Sequence, residues 1–156
     1  MIAHQEQLAL QISCQQGAAF AMTPQRILDY FPGGVGCGTF TPGQAIYCYN
    51  TAVVSLLELI AVDEDDLGSI LLSIKVTTAP FSQVPLSAQE IKTASFFSMI
   101  EDWQFEALSN GSLLTKTWRD ISVEGDAMEM AAIVRDSAIT ESQQLISRWN
   151  KAGLAE

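Results

Sequence analysis

His4 is the one histidine in this chain, and that limits its chemistry first. A histidine-built zinc site, a Glu-x-x-His di-iron bundle and a globin-type haem pocket all need ligands the sequence lacks. A Ser-His-Asp or Cys-His arrangement would require His4 to fold back into a pocket. Its position reads instead as a surface histidine on a frayed terminus. Carboxylates are more plentiful. Glu101-Asp102 and Glu106, beside Trp103, have the residue types of a glycosidase acid and base, but on a helix they read as a solvated face.

The run Asp63-Glu64-Asp65-Asp66 invites a calcium loop. Asp63, Asp65 and Gly68 resemble part of one, but its twelfth position would be Ile74, which offers no carboxylate. Acids in a first helical turn gain roughly 0.3–1 kcal/mol each from the helix dipole. Four in a row exceed what capping needs, so Asp63, Glu64, Asp65 and Asp66 are candidates for contact with a basic partner. Trp118-Arg119 and Arg148-Trp149 pair an indole with a guanidinium, a combination enriched at interfaces. Those four residues complete the candidate partner-binding set, though amphipathic side chains at a core boundary would look the same.

The loop Gly33-Gly34-Val35-Gly36-Cys37-Gly38 is neither GxGxxG nor a Walker motif, and no lysine or arginine lies between Arg26 and Lys75. It reads as a connection between helices, with no phosphate cradle. Cys37 has no neighbour in sequence that would lower its pKa. No catalytic residue, metal ligand or cofactor site is assigned, and the reading leans away from an enzyme.

Composition sharpens these exclusions. The net charge is −10 at 48% hydrophobic residues, which opposes direct binding to nucleic acid or anionic membranes. The longest apolar segment, Ala52 to Val62, is broken by Ser55 and Glu58 and is too short to span a bilayer. Cys14, Cys37 and Cys48 are an odd set without CxxC spacing. They suggest free thiols in a reducing compartment, with one Cys37–Cys48 bridge still compatible. With no basic-then-apolar leader, a cytoplasmic location is expected.

The elements that must position these residues read as helices. A first helix is expected over residues 3–21, and Thr23-Pro24 and Thr41-Pro42 each supply a start signal. Ile46, Tyr49, Val53, Leu57 and Ile60 recur at helical spacing, as do Leu67, Ile70, Leu71 and Ile74 after an Asp63 cap. Ser87-Ala88-Gln89-Glu90 matches a capping box opening a helix to about Ser109, with Asn110-Gly111 as its stop. Glu124 to Asn150 is again helical, with a restart at Thr140 as an alternative. Weak strand candidates are Thr39–Tyr47 and Leu113–Val123. The expectation is a single all-α domain over residues 1–156: a bundle of about five to seven helices with a glycine-rich loop near residues 31–43.

The function expected is a non-catalytic acidic domain that binds a basic protein partner, in the manner of an inhibitor or immunity-type protein. A structural subunit of a cellular or viral assembly, with self-association, is the alternative. A third is a small helical enzyme or carrier with an apolar pocket near Tyr47, Cys48, Tyr49 and Trp103.

Overall fold

The computed structural model describes residues 2–30, 34–35, 40–49, 53–124 and 127–155. Its centre is one antiparallel sheet, not a helical bundle. The strands are β1 (Ile2–Leu10), β2 (Gly34–Val35), β3 (Ala45–Tyr49), β4 (Val53–Glu64), β5 (Ile70–Pro80), β6 (Phe97–Leu108) and β7 (Gly111–Val123), in the order β1-β7-β6-β5-β4-β3-β2. Helices α1 (Cys14–Ala21), α2 (Pro24–Ile27) and the long α4 (Ala127–Ala155) cover the inner face; α3 (Ala88–Ala94) packs on the outer face against β4 and β5.

The sheet overturns the all-α expectation because a spacing of four residues fits a helix and a strand equally well. Ile70 and Ile74 do share a face, but so do Leu72 and Val76 between and beyond them, which is the period of two. In β4, neighbouring Leu56 and Leu57 are both fully buried, the first under α3 and the second in the main core. A register shift between Leu59 and Ala61 interrupts the alternation further. The Thr41-Pro42 signal therefore precedes β3 rather than a helix. The Asp63 signal marks the β4–β5 hairpin, where Asp65 Oδ1 accepts from the Leu67 and Ser69 amides at 2.9 Å each.

Other corrections are local. The helix expected over residues 3–21 divides into β1 and α1, with Ser13 capping α1 by accepting from the Gln16 amide at 3.1 Å. The capping box at Ser87 and Glu90 is formed, but α3 stops at Ala94 and β6 begins at Phe97. Asn110-Gly111 turns a hairpin: Gly111 has φ +119°, and a Cβ there would lie 2.0 Å from the Leu10 carbonyl oxygen. The expected α2 start at Thr23-Pro24 is present, with Pro24 at the first turn. Helix α4 runs unbroken through Thr140. Most of the Gly33–Gly38 loop, Cys37 included, lies outside the described residues.

The main core draws on residues from Leu10 to Ala152. Along α4, Ala138, Ser142, Leu145, Trp149 and Ala152 are buried at intervals of three and four, forming one inward stripe. Trp149 stands 5.8 Å from the Trp103 ring and 5.6 Å from Phe20, and its indole N–H donates to the Arg26 carbonyl at 3.1 Å. Helix α1 crosses close to β6 at Gly17, where a Cβ would sit 2.6 Å from the ring of Phe105. That ring is itself fully buried and stacked against Trp149. Gly17→Ala gains about 1 kcal/mol of helix propensity, whereas overpacking costs about 1–3 kcal/mol. The clash wins: the urea midpoint is expected to fall with the m-value unchanged, and a rise would refute this packing.

Candidate functional site

Three neighbouring strands place charged residues on the inner face where apolar ones are expected. Strand alternation points His4, Glu6, Leu8 and Leu10 of β1 inward, Ser112, Leu114, Lys116 and Trp118 of β7, and Phe97, Met99, Glu101, Trp103 and Phe105 of β6. Pairing register then sets these residues side by side. Glu6 lies opposite Lys116, which lies opposite Trp103; His4 lies opposite Trp118, which lies opposite Glu101.

The centre of the cluster is Lys116, 1% exposed. Its Nζ donates to Ser142 Oγ at 2.5 Å and lies 3.3 Å from Glu6 Oε2 and 3.8 Å from Glu101 Oε1. Ser142, from the inward stripe of α4, donates onward to Glu6 Oε2 at 2.8 Å. The ammonium also sits 3.7 Å above the Tyr30 ring and 5.6 Å from that of Trp103. His4 closes one side, its ring 4.7 Å from Trp118 and its Nε2 3.9 Å from Glu6 Oε2. The histidine expected on a frayed surface is thus part of an inward-facing strand.

Glu101 is fully buried, and neither carboxylate oxygen has a well-formed hydrogen bond; the same holds for the Trp103 and Trp118 indole nitrogens. The Tyr30 hydroxyl and both indole N–H groups nevertheless lie close enough to favour the charged carboxylate. Burial outweighs them together with Lys116 and raises the Glu101 pKa. Burial likewise lowers that of Lys116 against the pull of Glu101 and Glu6. Tyr30 is pushed far up, by burial first and Glu101 second. Chemically, the cluster is a desolvated carboxyl ringed by donors, beside an ammonium held by a carboxylate and a hydroxyl.

The residues singled out from sequence fall elsewhere or into other roles. Asp63, Glu64, Asp65 and Asp66 are all exposed around the β4–β5 hairpin, where the Asp65 side chain is spent on the turn. Trp118 and Trp149 face the core at 2% and 0% exposure. Arg119, on the opposite face of β7 from Trp118, grips both oxygens of Asp102 at 2.7 and 3.3 Å, and Asp102 also accepts from Ser73 at 2.7 Å. Arg148 donates to the Asp29 carbonyl and to Gln144, tying α4 to the segment after α2. The pocket expected near Tyr47, Cys48, Tyr49 and Trp103 is split by the sheet, since Cys48 and Trp103 belong to the main core and Tyr47 to the outer cluster. Cys14 and Cys48 are free thiols, and burial pushes Cys48 up to about 12. Among the described residues no group of His, Cys, Asp and Glu could hold a metal ion, and no helix is long and apolar enough to cross a membrane.

Sequence reasoning missed Glu6, Lys116, Tyr30 and Ser142. The available signal was an ionisable residue recurring within rows of alternating aromatic and aliphatic side chains, as in Phe97-x-Met99-x-Glu101-x-Trp103-x-Phe105.

No protein-family model and no curated protein matches the chain. Several solved structures share its fold. A protein from Arthrobacter aurescens is 12% identical with TM-score 0.65, covering 97% of this chain and 86% of its own. Protein Ms6760 from Mycobacterium smegmatis is 14% identical with TM-score 0.62, covering 95% and 88%. The Aha1 dimer from Colwellia psychrerythraea is 9% identical with TM-score 0.54, covering 91% and 93%. At such identities the likeness establishes the fold alone, here an antiparallel sheet followed by a long final helix.

The raised Glu101 carboxyl gives a pH signature. The folded protein keeps a proton there to higher pH than the unfolded chain, so this group's stabilisation is complete below the ordinary glutamate value of 4.5 and is lost as pH rises through the folded value. Lys116 acts in the opposite sense, losing stability as pH falls from its ordinary 10.5 towards its lowered value. Glu101→Gln is expected to flatten the loss of stability from mildly acidic to neutral pH, and to be at least as stable as the parent at neutrality. Lys116→Met leaves the buried Glu101 and the part-buried Glu6 without their cation and should cost roughly 3–5 kcal/mol. Urea titrations across pH measure both; an unchanged pH slope in Glu101→Gln contradicts the assignment.

Proposed function

We propose that this protein binds a small molecule between the inner face of the sheet and α4, recognising its polar head through Glu101 and the Lys116–Glu6–Ser142 group. One observation carries the reading: a fully buried carboxylate with both oxygens lacking a well-formed hydrogen bond, next to two indole N–H groups in the same condition. Buried polar groups are nearly always satisfied; here the indole N–H groups and the Tyr30 hydroxyl approach Glu101 without well-formed geometry, an arrangement that a ligand's polar head would complete. Burying these charges works against stability, and apolar side chains of similar volume would serve the core better. Perturbed ionisable groups gathered on aromatic walls mark candidate binding and catalytic sites. The ligand that suits them has an apolar body for Trp103, Trp118 and Tyr30 and a head that donates to Glu101 and accepts from an indole.

The test is a thermal-shift panel of apolar alcohols, amides and amines, followed by calorimetric titration of the hits. Hits should bind the parent protein and lose at least about tenfold in affinity, about 1.4 kcal/mol, in Glu101→Gln. That substitution preserves shape, so equal binding by every hit defeats the proposal.

A second reading, recognition of a basic protein partner, rests on the hairpin tip. Asp63, Glu64 and Asp66 are exposed there beside Leu67, at 88% exposure, and Leu67 lines a cavity of about 370 Å³ with Leu108 and Cys14. Complementary charge would steer such a partner and speed association. Joint Asp63→Lys, Glu64→Lys and Asp66→Lys, sparing the turn-forming Asp65, should abolish salt-sensitive binding of a lysine-rich peptide bearing one leucine. Binding that survives the reversal sinks this reading.

A further inference from the structure

A second cavity lies on the opposite face of the sheet. Where the chain runs from β5 to α3 it stands over β3 and β4, leaving a space of about 560 Å³ lined by Tyr47, Tyr49, Val54, Phe81 and Leu86. Pro85, Ser82 and Gln83 complete the lining, and none of these residues is charged. The volume falls within the range of small-molecule pockets, about 300–1,000 Å³.

Its position follows from strand alternation. In β3, Ile46 and Cys48 turn to the main core, so Tyr47 and Tyr49 face outward. Beneath the pocket Leu56, Ala79 and Ile91 are fully buried, a packed layer that fixes the floor. The wall is anchored on both sides. Helix α3 begins with the reciprocal Ser87–Glu90 capping box and is tied to β4 by Lys92 Nζ to Glu58 Oε2 at 3.2 Å. Within the connection, the Val84 amide donates to Ser82 Oγ at 3.2 Å. Yet Phe81 is 42% exposed and Tyr49 43%, leaving two aromatic rings in water at the mouth of a preformed concavity. The Lys92–Glu58 pair is mutually neutralised, and the lining residues themselves offer no charge to a ligand.

We propose that this cavity binds a small, uncharged, mostly aromatic or aliphatic molecule. Its ring or chain lies among Tyr47, Tyr49 and Phe81, and a single polar group meets Ser82 or Gln83. The site is independent of the inner cluster, from which the sheet separates it.

The neutral fluorophore N-phenyl-1-naphthylamine serves as probe, titrated into the full chain. Saturable fluorescence enhancement is expected, weakened at least about tenfold by Phe81→Ala and by Tyr49→Ala, since stripping an aromatic wall removes most of the buried contact area. Both residues are substantially exposed, so neither change should unfold the protein. Leu154→Ser removes another exposed apolar side chain, 82% exposed on α4, and should leave binding unchanged. Non-saturable binding, or equal loss in all three variants, overturns the proposal. Loss in Glu101→Gln with retention in Phe81→Ala would place the probe inside and overturn it too. Conversion of a dimer to a monomer by Tyr49→Ala, with no probe bound by either form, would make the face a self-contact instead.

Discussion

The Lys116 ammonium, enclosed between sheet and helix, is the interaction on which the rest of the structure depends. An ammonium this deeply buried must be compensated where it lies, and each compensating group here comes from a different part of the chain. Glu6 arrives on β1, Glu101 on β6, Ser142 on α4, and the Tyr30 ring from the segment after α2. The sheet supplies the two carboxylates but not the hydroxyl. Docking α4 with Ser142 at the centre of its buried stripe supplies the missing acceptor, and the register of β1 on β7 supplies the carboxylate. A one-residue slip of β1 would turn Glu6 to solvent and leave the charge uncompensated. The polar cluster thus specifies both strand register and helix docking while contributing little net stability. Stability comes from the aromatic stack of Trp103, Trp149, Phe105 and Phe20 that surrounds it.

Legibility in the sequence divides along the same line. Signals that act within a few residues were readable: Pro24 opening α2, the Ser87–Glu90 box opening α3, and the periodic stripe of α4. The sheet was not, and the reason lies partly in the site. His4 and Glu6 in β1, Glu101 in β6 and Lys116 in β7 occupy inward positions that would otherwise continue apolar alternation. Each makes its strand look unlike a strand. In β4 and β5 the concealment has another cause, because a core on one face and α3 on the other bury adjacent residues and erase the alternation. The same substitution of charge for hydrocarbon that builds the candidate site hides the fold that carries it.

Placing His4 in β1 also changes the weight of the functional arguments. With the imidazole remote, recognition by the acidic surface was the natural inference from a net charge of −10. With it 4.7 Å from Trp118, beside Glu6, the charged groups sort into two populations. Those at the β4–β5 hairpin are hydrated, and Asp65 is accounted for by its turn. Those inside are desolvated and held by the tertiary structure alone.

The two faces of the sheet therefore present different chemistry for one geometric reason. A strand sends successive side chains to opposite sides, so β3 can give Cys48 to the core and Tyr47 and Tyr49 to an outer cavity without compromise between them. On the inner side, closure by α4 excludes water, and any group there must find its partner within the protein or in a ligand. On the outer side α3 covers part of β4 and β5, and the chain before it leaves the tyrosines half in water. Desolvation makes polar contacts decisive within and shape decisive without, and the two proposed ligands rest on that difference.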